Sequence, residues 1–213
     1  MKSISDIKHA FYINLASRTD RKEQVEDQLF NVGLGCAQRF NAVKLDDGRV
    51  GCSMSHLKCL SKAKEEKWDH VLICEDDIEF LNPDLFINQM NKFLSRRNSW
   101  DVILLAGNNV PPYIRDGNEC VKVSRCQTTT GYLVNGHYFD TLIENIKNSI
   151  VNLLREPEKH IHYAIDRYWF TLQQRDNWYL LTPLTVVQRA GYSDVAKKRT
   201  DFVKIMMDLD KTK

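Results

Sequence analysis

Short apolar segments alternate along this chain with segments of amphipathic helical pattern, and this alternation limits the fold more than any other feature. The segments AFYINL, HVLIC and DVILLA are typical of buried strands, and apolar residues recur every three or four positions in the segments between them. Strands that alternate with helices form a mostly parallel sheet with helices on both faces. The sequence therefore predicts an α/β/α sandwich.

The predicted elements run in order along the whole chain. We expect strands in AFYINL, AQRFNAV, HVLIC, DVILLA, VKVSRCQ, TGYLVN, WYLL and LTVVQ. We expect helices in TDRKEQVEDQLFNVGL, GCSMSHLKCLSKAKEEKW, NPDLFINQMNKFLSRR, IHYAIDRYWFTLQQ and from about Gly136 to Leu154. A chain of 213 residues is most simply one domain. We assign residues 1–195 to this domain and residues 196–213 to a tail, in which FVKIMM docks as a short helix.

Composition excludes several classes of protein. Lys and Arg number 30 against 28 Asp and Glu, and this balance does not indicate a nucleic-acid-binding protein. The basic stretch VAKKRT is typical of a solvated terminal segment. No segment approaches the roughly 18 consecutive apolar residues of a membrane span, and the first residues lack the pattern of a signal peptide. We expect a cytoplasmic protein without an integral membrane segment.

The six cysteines form no CxxC pair and lie mostly in apolar surroundings. This pattern indicates reduced core cysteines rather than zinc ligands or a disulfide framework.

Four acidic residues follow the third predicted strand directly: Glu75, Asp76, Asp77 and Glu79. Ligands of such sheets bind at the carboxyl ends of the strands, and clustered carboxylates there need a cation or hydrogen bonds. Alternation along an extended segment predicts that Glu75 and Asp77 converge while Asp76 faces the other way. Oxygen donors suit Mg²⁺ or Mn²⁺, which commonly neutralises a phosphate-bearing substrate. The alternative is an exposed acidic turn before the next helix.

Seven segments follow one another over about residues 10–195: FYINLASRTDRKEQ, GCSMSHLKCLSKAKE, VLICEDDIEF, DVILLAGN, TTTGYLVN, AIDRYW and QRAGYSD. In this order and spacing they resemble glycosyltransferase family 25, which groups galactosyltransferases of lipopolysaccharide biosynthesis with procollagen galactosyltransferases. The resemblance implies a single-domain GT-A type fold, which is Rossmann-like with a mostly parallel central sheet. It also implies a UDP-sugar donor, dependence on Mn²⁺ (or Mg²⁺), and inversion at the anomeric carbon.

The resemblance implies that the end of the first strand holds the nucleotide, through Asn14, Leu15, Arg18 and Arg21. A guanidinium suits this role because it donates two parallel hydrogen bonds to a phosphate. The alternative for both arginines is a place on the exposed first turn of a helix.

The string GCSMSH implies a second donor-binding segment. Gly51, Ser53 and Ser55 are expected at a helix start, where free backbone N–H groups can receive an anion, and Ser53 and His56 would face the donor. The alternatives are that Ser53 is a plain N-cap and that His56 is a buried structural histidine.

The acidic string corresponds to the DxD-like motif of GT-A enzymes. By this analogy Asp77 is the direct metal ligand, Glu75 and Asp76 lie near the ribose and the metal, and Glu79 is incidental. Gln188, or else Asp194, would complete the metal shell from the C-terminal part of the chain.

The sugar pocket is expected at the next two motifs. Asn108, in AGNN, would line it, and Thr130 and Gly131 would let the donor sugar approach the backbone. A run of threonines is also ordinary strand sequence.

Asp166, in YAIDRYWF, matches a family aspartate that is placed to act as the general base. An inverting transferase needs such a base to take the proton from the acceptor hydroxyl. The alternatives are that Asp166 binds sugar hydroxyls or has a structural role. Trp169 beside it is more typical of a core residue than of a sugar-stacking platform.

These expectations describe a metal-dependent hexosyltransferase that moves galactose or glucose from a UDP-hexose to a glycan or hydroxylysine-type hydroxyl. The first alternative is a catalytically inactive module of the same fold that binds nucleotide sugars or glycans. A weaker alternative is a metal-dependent phosphatase or nuclease. The sequence leaves the acceptor, the hexose and the oligomeric state open, with a homodimer as one alternative.

Overall fold

A computed structural model describes residues 1–211 of the chain. The strands are β1 (Ala10–Asn14), β2 (Gln38–Asn41), β3 (His70–Glu75), β4 (Ile78–Phe80), β5 (Val102–Leu104), β6 (Asn108–Asn109), β7 (Tyr113–Arg115), β8 (Cys120–Val123), β9 (Cys126–Gln127), β10 (Gly131–Asn135), β11 (Trp178–Leu181), β12 (Val186–Gln188), β13 (Gly191–Ser193) and β14 (Lys198–Thr200). The helices are α1 (Thr19–Asn31), α2 (Gly48–Glu65), α3 (Pro83–Arg96), α4 (Phe139–Arg155), α5 (His160–Tyr163), α6 (Ile165–Tyr168), α7 (Phe170–Arg175) and α8 (Val203–Met206). Short 3-10 helices occupy Ile4–Asp6, Gly136–Tyr138 and Pro157–Lys159.

The central sheet has eight strands in the order β2-β1-β3-β10-β5-β11-β8-β7. The pairings give β8 and β10 one direction and the other six strands the opposite direction. The predicted mostly parallel sheet is therefore confirmed. Because β1 and β3 are parallel neighbours, the residues that follow them meet at one edge of the sheet.

Helices cover both faces of this sheet. On β3, Leu72 and Cys74 join the core beneath α1 and α3, whereas Val71 and Ile73 join the core beneath α2 and α4. All four side chains are fully buried, as expected for a strand that is apolar on both faces. The predicted α/β/α sandwich around a mostly parallel central sheet is therefore confirmed.

One segment that was predicted as a single helix is interrupted in the structure. The segment IHYAIDRYWFTLQQ forms the three short helices α5, α6 and α7, and Ala164, with extended backbone dihedrals, separates α5 from α6. The hydroxyl of Ser149, on α4, donates to the Tyr163 carbonyl at 2.7 Å. This tertiary bond occupies a carbonyl that a continuous helix would use internally, and the sequence pattern does not reveal it.

The C-terminal residues pack onto the domain. β13 and β14 pair as a hairpin, and the boundary expected after residue 195 falls in its turn. The segment FVKIMM contains α8, whose Met206 is 1% exposed and belongs to the core. Within residues 1–211, no helix combines the length and the apolar character that crossing a bilayer requires.

Candidate active site

A cavity of about 180 Å³ opens at the carboxyl ends of β1 and β3. Four parts of the chain line it: the end of β1 with α1, the segment 42–56, the acidic turn 75–77, and the C-terminal segment 188–197. A cavity at this edge of the sheet agrees with the general location of ligands in α/β folds.

The acidic residues lie in a tight turn rather than on a continuing strand. β3 ends at Glu75, residues 76 and 77 form the turn, and β4 begins at Ile78. The strand alternation that predicted a shared side for Glu75 and Asp77 therefore does not apply here. Instead, Asp76 and Asp77 converge on one guanidinium nitrogen, Nη1 of Arg21, at 2.9 and 3.4 Å.

Asp77 is the least satisfied carboxylate of the cluster. Its side chain is buried, and its Oδ2 accepts a hydrogen bond from Nε2 of Gln188 at 2.9 Å. Its Oδ1 is buried and has no hydrogen-bond partner among the described residues. Burial and the nearby negative charge of Glu75 raise the pKa of Asp77 to about 7, although Gln188 and Arg21 oppose the shift. A buried carboxylate oxygen without a partner is chemically suited to a cation.

Gln188 reaches Asp77 because β12 pairs with β4, with Gln188 opposite Ile78. In this arrangement its amide nitrogen orients the Asp77 carboxylate. The expected proximity of the two residues is therefore present.

Asp76 is tied to the first strand. Its Oδ2 accepts from Nδ2 of Asn14 at 2.7 Å, in addition to the ion pair with Arg21. Burial raises the pKa of Asp76 against the effect of these two partners. Asn14, which is 1% exposed, also accepts from Nε of Arg39 and donates to the Arg18 carbonyl. The amide group of Asn14 therefore makes three hydrogen bonds within the protein, one of which holds Asp76 in place.

Glu75 faces a different set of side chains. Its Oε1 accepts from the Thr129 hydroxyl at 2.7 Å, and it lies 3.4 Å from Nε2 of His56 and 3.6 Å from Sγ of Cys52. Burial acts to raise the pKa of Glu75, but the bonds from His56, Thr129 and Cys52 hold it below its usual value. Direct metal ligation by Glu75 together with Asp77 stays a prediction.

The two predicted arginines have different positions. Arg21 lines the cavity, and its Nη2 donates to the Tyr192 carbonyl at 2.7 Å, which fastens the β13–β14 hairpin. Arg18 does not line the cavity; it pairs with Asp20 at 2.8 Å and with Asp194 at 3.1 Å. The bond to Asp20 raises the pKa of Arg18 further, so its charge is permanent. Leu15 lines the cavity as an apolar wall.

The predicted helix start at Gly51 is wrong. α2 begins three residues earlier at Gly48, and Asp47 caps it by accepting from the backbone N–H of Arg49 at 2.9 Å. The Ser53 hydroxyl is buried and donates to the Arg49 carbonyl at 2.9 Å, so Ser53 is neither an N-cap nor part of the cavity lining. The free N–H groups expected around residues 51–53 are therefore inside the helix.

The string GCSMSH instead holds the wall of the cavity. A Cβ on Gly51 would lie 2.6 Å from the Val43 carbonyl oxygen, so only glycine allows this close approach. The Ser55 hydroxyl donates to the Gly51 carbonyl and accepts from the Val43 N–H, both at 2.8 Å. His56 is fully buried and also borders the cavity. The helix thereby positions residues 42–45 along the cavity.

The predicted sugar-pocket residues are not among those that line the cavity. Gly131 is small because a Cβ there would lie 2.8 Å from the Ile78 side chain, so its role is core packing rather than approach of a sugar. The Thr130 hydroxyl is buried and bonds to that of Thr128 at 2.7 Å. Asn108 pairs with Gln127 in a two-stranded ribbon, and its Oδ1 is buried without a partner in the described part of the chain.

Asp166 lies behind the cavity, on α6. Its Oδ2 accepts from the backbone N–H of Thr128 at 3.1 Å, and Asp166 is not among the lining residues. Burial raises the pKa of Asp166, with a further contribution from the charge of Glu75 and opposition from the Thr128 bond. Trp169, as expected, is a core residue: it is fully buried and donates to the Cys126 carbonyl.

Sequence reasoning missed two lysines of the cavity, Lys44 and Lys197. Lys197 belongs to the stretch VAKKRT, which we expected to be only solvated. It lies in the hairpin turn with a backbone φ of +55°, next to the segment that Arg21 fastens. A turn signal before this basic stretch was the available clue, but nothing local predicted that the turn faces the acidic residues.

Paired carboxylates, an arginine and two lysines line one cavity, a combination that is chemically suited to a ligand that carries phosphate and a cation. The sequence model of glycosyltransferase family 25 (LPS biosynthesis protein) matches residues 36–166, which is more than half of the chain. The chain belongs to this family, and glycosyl transfer is its class of activity. A comparison with curated proteins matches none of them.

The chain is also similar to several solved structures. The protein A197 from STIV is 16% identical, with a TM-score of 0.50 over 90% of this chain and 92% of that chain. A glycosyltransferase involved in glycosylation of the major capsid of PBCV-1 is 8% identical, with a TM-score of 0.40 over 82% and 92%. A mutant Drosophila β-1,4-galactosyltransferase 7 is 15% identical, with a TM-score of 0.38 over 63% and 51%.

Proposed function

We propose that this protein is a metal-dependent inverting glycosyltransferase that moves a hexose, galactose or glucose, from a UDP-sugar to a glycan or hydroxylysine-type hydroxyl. Family membership supports the reaction class. The single observation that carries the metal dependence is Asp77, a buried carboxylate with one unpartnered oxygen at a cavity that also holds Arg21 and two lysines.

The donor set fits a divalent cation such as Mn²⁺ or Mg²⁺. Asp77 would hold it, and Asp76 lies beside it in the same turn, while Gln188 orients the Asp77 carboxylate. Hard oxygen donors of this kind are those that these cations prefer. When bound, the cation supplies Lewis-acid stabilisation of the departing diphosphate.

Positive side chains would hold the donor's phosphates. Arg21, Lys44 and Lys197 come from three distant parts of the chain and border the same cavity. Arg21 also holds the two aspartates, so a bound diphosphate would share its guanidinium with them. The segment 42–45, fixed by Gly51 and Ser55, offers the nucleoside a rigid wall with the apolar residues Ala42, Val43 and Leu45.

Asp166 is the proposed general base. In the reaction, the acceptor oxygen forms a bond to the anomeric carbon as the bond from that carbon to the phosphate oxygen breaks. UDP leaves with the bonding electron pair, and the acceptor's proton passes to Asp166. The raised pKa of this carboxylate favours proton uptake, and the Thr128 N–H fixes its orientation.

The position of Asp166 also supports a second candidate function. Because it does not border the cavity, a module that binds a nucleotide sugar without transferring it agrees with the same geometry. The two candidates share the donor site and differ in turnover.

The proposed location is cytoplasmic. The six cysteines all lie among the described residues and are free thiols, which is compatible with a reducing compartment.

A panel of UDP-hexoses with Mn²⁺ tests the proposal, with UDP release and calorimetric binding measured in parallel. We expect one hexose to give Mn²⁺-dependent UDP release that Asp77→Asn lowers by at least about a hundredfold, as for loss of a group that holds transition-state charge. The matched control is Glu79→Gln, which removes the same charge from a side chain outside the cavity lining.

The outcomes separate the candidates. UDP binding without release from any donor favours the binding module. Full activity of Asp77→Asn with unchanged Mn²⁺ dependence would refute the assignment of Asp77.

A further inference from the structure

Three side chains at the floor of the cavity form a cluster outside the Asp77 site. Cys52 and His56 lie one turn apart on α2, and Glu75 ends the neighbouring strand β3. The Cys52 Sγ, a ring nitrogen of His56 and a carboxylate oxygen of Glu75 all lie within 4.8 Å of one another. All three residues border the cavity.

Two of their separations match the edges of a tetrahedral zinc site. With Zn–S of about 2.3 Å and Zn–N and Zn–O of about 2.0 Å, tetrahedral edges are about 3.5 Å for S···O and about 3.3 Å for N···O. The observed separations are 3.6 Å between Cys52 Sγ and Glu75 Oε1, and 3.4 Å between His56 Nε2 and the same oxygen. The second of these is long for a hydrogen bond. Two of the three separations therefore fit a tetrahedral site, and the third, between the Cys52 sulfur and the His56 ring nitrogen, lies within 4.8 Å.

Neighbouring side chains orient two of these ligands. The hydroxyl of Tyr132 bonds to Nδ1 of His56 at 2.8 Å, so the ring directs Nε2 towards Glu75. Because this hydroxyl can donate or accept, it also supports the tautomer that leaves Nε2 free for a metal. The Thr129 hydroxyl holds Glu75 Oε1 at 2.7 Å. Such outer partners of the histidine and the carboxylate are typical of protein metal sites.

We propose that Cys52, His56 and Glu75 bind a divalent cation of borderline softness, Zn²⁺ in type, with a fourth coordination position open to the cavity. One thiolate and one carboxylate balance its two positive charges, and the thiol proton is released to solvent on binding. The ligand set of sulfur, nitrogen and oxygen differs from the oxygen set at Asp77. The proposal departs, for Cys52, from the sequence-based expectation of reduced core cysteines rather than zinc ligands. It does not depend on glycosyl transfer.

Cobalt(II) titration of the full chain tests this site without any assay of activity. Tetrahedral Co²⁺ bound to a thiolate gives a sulfur-to-cobalt charge-transfer band and intense visible bands, and Zn²⁺ should displace it. We expect one thiolate-bound Co²⁺ per chain, loss of the charge-transfer band in Cys52→Ser, and affinity for this Co²⁺ about 10- to 100-fold weaker in Tyr132→Phe.

Two controls assign the signal. Cys36→Ser removes an exposed cysteine and should leave the band unchanged, and Asp77→Asn should leave it unchanged as well. Circular dichroism verifies that each variant is folded. Absence of a charge-transfer band in the full chain, or a band that survives Cys52→Ser, would overturn the proposal. Neither result bears on UDP release, so this failure is distinguishable from failure of the proposed function.

Discussion

Asp77→Asn should stabilise the fold at pH 8 while it removes the proposed cation site. In the folded chain the pKa of Asp77 is about 7, compared with its usual value of 3.8, because burial and the charge of Glu75 disfavour the carboxylate. Keeping this group ionised therefore costs folding free energy. Asparagine has nearly the same shape and cannot ionise.

The size of the effect follows from the shift. A difference of about 3 pKa units at about 1.4 kcal/mol each sets an upper limit of about 4 kcal/mol at pH 8. The new Nδ2 of asparagine can take the place of the unpartnered Oδ1, and a buried donor without a partner costs about 1–3 kcal/mol. We therefore expect Asp77→Asn to be more stable by about 1–3 kcal/mol at pH 8.

The pH dependence has a defined sign. Because the folded pKa is raised, the contribution of Asp77 to stability is fully present below pH 4 and is lost as the pH rises through about 7. The advantage of the variant should therefore grow from pH 4 to pH 8 and vanish or reverse at the acidic end.

Urea denaturation in EDTA at several pH values measures this difference. Glu79→Gln is the matched control, because it removes the same charge from a side chain that is 33% exposed. In a parallel series without EDTA, added Mn²⁺ should stabilise the wild type by mass action more than it stabilises Asp77→Asn. A difference between Asp77→Asn and wild type that does not vary from pH 4 to pH 8 would refute the reasoning.

Three further substitutions test other parts of the site. Arg21→Lys keeps the positive charge but loses the planar guanidinium that bonds to Asp76 and to the Tyr192 carbonyl. Calorimetry should therefore show about tenfold weaker UDP binding. Unchanged affinity would contradict a role of Arg21 in binding UDP. Asp166→Asn retains an oxygen for the Thr128 N–H and should lower kcat by about 10²- to 10⁴-fold with little change in stability or donor KM. Gly51→Ala places a Cβ against the Val43 carbonyl oxygen and should lower the free energy of unfolding by about 1–3 kcal/mol, measured by thermal or urea denaturation. An unchanged free energy of unfolding would show that the backbone around Val43 can move to accommodate the Cβ.

The α/β/α architecture was predictable because each buried strand and each amphipathic helix carries a local pattern. The run Val71 to Cys74 is apolar on both faces, and it is buried on both faces. The approach of Gln188 to Asp77 agrees with an expectation from the family resemblance, since no local pattern pairs residues so distant. The break at Ala164 depends on a bond from Ser149 and was beyond the reach of periodicity.

The candidate site was less predictable than the fold, because the local patterns used to place its residues did not hold there. The alternation that grouped Glu75 with Asp77 assumes an extended strand, but the chain turns after Glu75. Likewise, GCSMSH indicated a helix start, whereas the cap is Asp47 and the glycine serves a close backbone approach. Asp47 is a favoured N-cap residue, so the helix start had a local signal, whereas the turn after Glu75 and the close approach at Gly51 depend on tertiary contacts.

The long connection between Asp77 and Gln188 has a consequence for the order of folding. The bond joins residues 111 positions apart, and Arg21 meets Tyr192 across 171 positions. Contacts of such sequence separation form late, because the entropy of closing the loop is lost before they contribute. A folding intermediate with only the first three parallel strands docked would carry the acidic turn without its C-terminal wall. The cavity should therefore acquire affinity for UDP only in the last phase of refolding, after the sheet is protected from hydrogen exchange.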